Sequence, residues 1–323
     1  MRAAISLAAI AFGFVAPGIA SAQRFSFEQA FDIQSGVTID VTTHRGKIDV
    51  VAGPYDRVVV SGAVTVRVAW DSPPDAVEIA RRLAKAPPIT RAGSTVRLRP
   101  PADDVERRAV TIDYQVRVPI DTEVVSESES GATSISGVGR KVTVRTQSAA
   151  ITLARLGGDA DVDTGSGAVR IDDVRGALRV TTSSSGITAR GIAAALRVRT
   201  QSGQVEATLV GGGDVDVETG SSAIRLRGVN GGLTVTTESG RVDLDGAPSR
   251  AWTVNTGSGA VDARLHAASF SLDAMTQSGS VKVTGAAVTG TTEDRRVAGE
   301  VGSGGPLVRI RCRSGSITLA IGR

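Results

Sequence analysis

From residue 120 onward the chain repeats itself about every 18 residues, and a short fixed period of this kind specifies a stacked repeat architecture. The unit is typified by Val180-Thr-Thr-Ser-Ser-Ser-Gly-Ile-Thr-Ala189, with Thr182 as its slot, Ser two residues on and Ile or Val five residues on. The slot recurs at Thr146, Thr164, Thr182, Thr200, Thr219, Thr237, Thr256 and Thr276, and Ser128 and Cys312 occupy it at the flanks. Spacings run 18, 18, 18, 18, 19, 18, 19 and 20 from Ser128 to Thr276, then 36 to Cys312.

Apolar residues fall in columns around the slot. Val142/Val144, Leu178/Val180, Leu196/Val198 and Val215/Val217 stand four and two residues before it. Ile151/Leu153, Val169/Ile171, Ile224/Leu226 and Ile317/Leu319 stand five and seven after it. Each half alternates with period two, so each half is a strand with one face inward. Between them, Gly131, Gly167, Gly203, Gly240, Gly259, Gly279 and Gly315 suit a corner needing positive φ. Ala149, Ser185 and Ser222 break that rule, and Gly186 is the expected substitute beside Ser185.

Two strands and a return cannot bury an inner face alone, whereas parallel stacking about 4.8 Å apart buries it continuously. The expected fold is all-β: a parallel β-solenoid, right-handed and β-helix-like by analogy with parallel crossovers, about 18 residues per coil. The slot alternates in phase with Leu178 and Val180, so its hydroxyls face inward and hydrogen-bond along the stack or to corner backbone. Outward positions carry Asp161/Asp163, Arg179/Thr181, Arg197/Arg199 and Asp216/Glu218, which register places one rung apart as cross-strand charge neighbours.

Met1–Ala22 reads as a signal peptide: Arg2, an apolar run Ala3–Val15, a Pro17-Gly18 break and Ala20-Ser-Ala22 before Gln23. The expectation is export to the periplasm or beyond, with cleavage after Ala22, and no later segment reads as transmembrane. The formal charge of +4 falls to +3 once Arg2 leaves. Arginines interleave with acids and only 3% of residues are aromatic, which argues against a nucleic-acid surface.

Residues 23–50 hold a first coil, with Ile39, Val41, Thr43, Gly46, Ile48 and Val50 in the repeat slots. The next slot is Ser128, so residues 51–120 are an insert. Val58–Trp70, Ser94–Arg99 and Ala109–Val118 read as strands, and Asp75–Lys85 as a helix with Ala76, Ile79, Ala80 and Leu83 on one face. A small antiparallel sheet with one helix, capping the first rung, is expected. The solenoid proper occupies 121–323, with a hairpin or loop excursion at 284–306 and a last coil, Val308–Ile321, whose edge only that excursion or a partner could cover.

No constellation assembles a reaction. His44 and His266 lie roughly ten rungs apart, and no nucleophile elbow is present. Cys312, the sole cysteine, reads as a buried replacement for Thr. Asp159/Asp161/Asp163 and Asp214/Asp216/Glu218 lack the regular nonapeptide that solenoid calcium sites require. Asp172 and Asp173 with Arg170 and Arg190 imitate the carboxylate clusters of polysaccharide-processing β-helices, without aromatic sugar platforms. No catalytic, cofactor-binding or metal residue is assigned, and no cofactor is expected.

Coils such as Thr237-Glu-Ser-Gly-Arg-Val-Asp-Leu244, and the Val118-Pro119 entry before the repeats, resemble a bacterial family of exported β-strand-repeat proteins of unknown function, described as candidate adhesins. The resemblance spans residues 31–323 and implies a function class without catalytic residues. The leading expectation is a non-enzymatic envelope solenoid binding an unidentified polymer or surface protein. A polysaccharide lyase or hydrolase, and a periplasmic scaffold or regulatory module for a membrane protein, are the alternatives.

Overall fold

The computed structural model describes residues 23–33, 35–67 and 72–322. The signal peptide expected over Met1–Ala22, and Trp70 in the insert, lie outside them. Two long sheets face each other, one of 15 strands and one of 14. Each coil gives one strand to each: the Thr200 coil supplies Leu196–Thr200 to the 15-stranded sheet and Val205–Leu209 to the other.

The register is slot on slot. Thr43 pairs with Ser128 across 85 residues of sequence, and Ser128, Thr146, Thr164, Thr182, Thr200, Thr219, Thr237 and Thr256 then follow in parallel succession. Val142, Val180, Val198 and Val235 are 0–1% exposed, and the slot residues themselves are buried, from 1% for Thr276 to 7% for Thr146. The inward hydroxyl column therefore stands. Its hydrogen bonding is only partly as expected. Thr43 Oγ1 donates to the Gly46 carbonyl at 3.0 Å and Thr276 Oγ1 to that of Gly315 at 2.9 Å. Thr146, Thr200, Thr219 and Thr256, however, find no hydrogen-bond partner for Oγ1 among the described residues. A buried hydroxyl without a partner costs about 1–3 kcal/mol. Thr200→Val, nearly isosteric and well suited to a strand, is thus expected to raise stability by about 1 kcal/mol, read as an upward shift of the thermal midpoint. Destabilisation would show that the hydroxyl is satisfied in solution.

The glycine corner has two causes at once. Gly203 adopts φ +154°, and a Cβ there would sit 2.0 Å from the Ser185 carbonyl oxygen of the preceding rung. Conformation and rung spacing exclude a side chain together. Gly186 is a correction: it does not take a positive φ, and nothing crowds it. Ser185, 4% exposed, turns the corner with ordinary backbone.

The insert caps the first coil by prolonging both sheets, not as a separate antiparallel sheet. Thr95–Leu98 stacks parallel on Val37–Thr43, and Val110–Pro119 stacks parallel on Ile48–Gly53. Val58–Val66 and then Arg24–Phe31 add antiparallel strands outside. Helix Ala76–Lys85 lays Ala76, Ile79, Ala80 and Leu83 against that extension. A second helix, Asp104–Ala109, joins the one expected; Asp103 caps it by accepting from the Val105 and Glu106 amides at 2.6 and 3.1 Å.

The other end departs from chain order. The Cys312 coil is last in sequence but not in space: Cys312 pairs with Thr256 on one side and Thr276 on the other. In the second sheet Ile317–Ile321 likewise lies between Val261–Leu265 and Val281–Thr284. The expectation that the final coil forms the open end is corrected. The Thr276 coil is terminal, and the hairpin of Thr289–Glu293 and Arg296–Val301 continues its 15-stranded sheet antiparallel. The same inversion occurs at the start, where the Thr43 coil is held between the insert and the Ser128 coil. Both sequence-terminal coils are thereby clamped on two sides, which protects the elements most prone to fray.

Candidate functional site

Side chains outside the stack are positioned by the same alternation that buries the core. Along the 15-stranded sheet, Arg197 reaches Asp216 at 3.1 Å, Arg199 reaches Glu218 at 3.2 Å and Arg145 reaches Glu127 at 3.3 Å, each one rung away. On the other sheet Arg241 bridges Asp243 at 2.9 Å and Asp262 at 2.8 Å. Pairing is incomplete: Asp161 lies in register with Arg179 without an ion pair, and Arg179 stands beside Arg197.

The residues weighed for catalysis do not converge. Asp172 points out of its strand between Ala154 and Arg190, and Arg170 faces Thr152 and Thr188. Asp173 turns the chain at φ +59°, in the column where Gly137, Arg155, Gly191 and Gly228 take φ between 53° and 75°. Its unusual backbone is a repeat feature shared with Arg155, not an isolated strained residue. None of Asp172, Asp173, Arg170 and Arg190 forms an ion pair with a described residue.

His44 Nδ1 lies 2.5 Å from Glu129 and His266 Nε2 lies 3.4 Å from Asp245, each at its own end of the stack. Asp159 accepts from the Ala177 amide at 2.8 Å, while Asp214 accepts from the Gly232 amide at 2.8 Å and pairs with Arg250 at 3.0 Å. These acids stitch rungs together, and no group of three metal-ligating side chains gathers among the described residues. Cys312 is 4% exposed, donates to the Gly259 carbonyl at 3.5 Å, and burial pushes its thiol above the ordinary range.

Sequence reasoning missed one gathering. Asp273 of the Thr276 coil meets Arg309 and Arg311 of the intercalated Cys312 coil and Arg296 of the hairpin. The hydrogen bond from Arg311 holds the Asp273 carboxyl below its usual value, against burial that would raise it. The columns hold part of this cluster, since Asp273 and Arg309 each stand three residues before their slots, whereas Arg296 joins only through the hairpin, which the repeat does not place.

The fold and its outer ladders define a parallel β-solenoid repeat protein. A family model matches residues 113–320, most of the chain, and its description is Toastrack, DUF4097, a family of unknown function. The chain belongs to the Toastrack DUF4097 family. No curated protein matches it. Among solved structures, a putative cell adhesion protein from Clostridium sporogenes is 10% identical, with 92% of this chain and 100% of that one covered, at a TM-score of 0.19. No helix is long and apolar enough to cross a membrane among the described residues.

Proposed function

We propose that the mature chain is a non-enzymatic, adhesin-like protein of the cell envelope, periplasmic or extracellular, whose solenoid holds a rigid surface against a polymer or protein partner. Within residues 23–50 the coil from Val37 begins the solenoid, 51–120 cap it together with Arg24–Phe31, and 121–323 present the surface. The in-register stack carries the reading: outward side chains sit on strands fixed by neighbours on both sides, so the face is ordered before binding. Such preorganisation suits recognition, while the carboxylates that resemble a hydrolytic pair stand in different columns.

The test is a pull-down from envelope extract with immobilised protein spanning residues 23–323, run beside a turnover assay on acidic polysaccharides. A saturable partner without cleavage is expected. Cleavage that disappears in Asp172→Asn or Asp173→Asn would overturn the reading in favour of an enzyme. Retention on membrane fractions but not on intact cells would replace it with a periplasmic scaffold.

A further inference from the structure

We infer that the outer face of the Cys312 coil is an acidic-polysaccharide site, whose arginine row binds the carboxylates of a polyuronate chain. This rests on the proposed binding function and names its surface and ligand class.

Leu307–Ser314 alternates inward Val308, Ile310 and Cys312 with outward Arg309, Arg311 and Arg313. Alternate residues on a strand stand about 6.6 Å apart, so three guanidiniums form a row roughly 13 Å long. The rung beyond it holds Thr253 and Asn255, in register with Arg309 and Arg311 and carrying no charge. One rung farther into the stack come Thr234 and Thr236, with Glu238 two rungs from Arg313 in its column. On the opposite side, Asp273 and Met275 face Arg309 and Arg311. Elsewhere on this sheet the paired cations Arg197 and Arg199 meet two acids, Asp216 and Glu218. Here the row of Arg309, Arg311 and Arg313 meets one, Asp273.

That single acid is placed to orient one of the cations. Arg311 binds Asp273 through both terminal nitrogens, one of them to the backbone carbonyl at 2.8 Å. Arg309 and Arg296 approach the same carboxylate at 3.7 and 3.8 Å, too far for direct hydrogen bonds, and their side chains are 49% and 51% exposed. Arg313 has no ion pair with a described residue. Glu293 and Glu300 stand at the rim, opposite Arg296 and Ser271. The centre therefore keeps exposed guanidinium donors on strand-fixed positions, with Arg311 alone held by Asp273, and the guanidinium is the group best matched to planar carboxylates. The adjoining hydroxyl and amide rungs offer donors and acceptors to sugar hydroxyls. A polymer with one carboxylate per sugar meets the row at several points, which adds avidity.

The test uses protein spanning residues 23–323 on polygalacturonate beads, with neutral dextran beads and phosphatidylglycerol vesicles as the other arms. Retention on polygalacturonate alone, falling as salt rises, is expected. Arg309→Gln with Arg313→Gln should weaken it about tenfold at unchanged melting temperature, while Arg145→Gln with Arg197→Gln, on the same sheet, should leave it intact. Equal loss in both pairs, or preference for the vesicles, overturns the site. If polygalacturonate is not retained while envelope extract still yields a saturable partner, this inference falls and the proposed function stands.

Discussion

Val198→Asp is expected to cost the mature protein about 4 kcal/mol, whereas Arg197→Ala, one residue away, costs less than about 1 kcal/mol. Val198 is 0% exposed and stacks between Val180 and Val217. An aspartate there loses the apolar burial and places a carboxylate where the column supplies only methyl groups. Its remedy is to take up a proton, which still leaves a polar group unpaired. Arg197 points the other way and is 52% exposed; its bond to Asp216 at 3.1 Å is solvated and screened. In a solenoid each coil touches only its neighbours, so the damage concentrates at two interfaces. Denaturant unfolding should shift strongly for Val198→Asp, with a broadened or split transition, and scarcely for Arg197→Ala. Comparable shifts would mean the two faces are reversed.

That contrast was available from sequence because the period-two columns fix facing residue by residue. The pattern alone places Thr43 in register with Ser128 across the whole insert, and the strands pair there. What the pattern could not supply was stacking order. Every coil has the same columns, so a Cys312 coil fits equally well beside Thr256 or beyond Thr276. Alternation is satisfied either way, and only contacts distant in sequence decide. The 20-residue spacing from Thr256 to Thr276, the longest in the run from Ser128 to Thr276, accompanies the step that leaves room for an intercalated rung. The insert misled for a related reason. Thr95–Leu98 and Val110–Pro119 read as strands, but nothing in them states that they prolong the solenoid's own sheets. The Asp273 cluster is half legible, because Asp273 and Arg309 share a column of successive slots, but Arg296 reaches it only through a hairpin outside the repeat, and its arginines lie 23, 36 and 38 residues away along the chain.

Deleting residues 307–323 is expected to do more than remove a last coil. In a stack built in chain order, a terminal truncation breaks one interface and leaves the rest standing. Here the lost coil is a wedge: Leu307–Ser314 pairs with Trp252–Ser258 and with Phe270–Ser278, and Ile317–Ile321 with Val261–Leu265 and Val281–Thr284. The side chains withdrawn include Val308, Ile310, Ile317 and Leu319, all at most 1% exposed, and their burial is worth on the order of 8 kcal/mol before entropy. The Thr276 coil and its hairpin would then be held to the body only through residues 266–269, with Phe270 and Leu272 facing a gap one rung deep. Limited proteolysis should cut the truncated protein throughout 266–301 while coils from Thr43 to Thr237 stay protected. The competing outcome is that the Thr276 coil drops one rung and pairs with Thr256 directly, since the columns match. Protection of 270–284 in the truncated chain would show that such collapse occurs, and that the intercalated coil is dispensable to the stack.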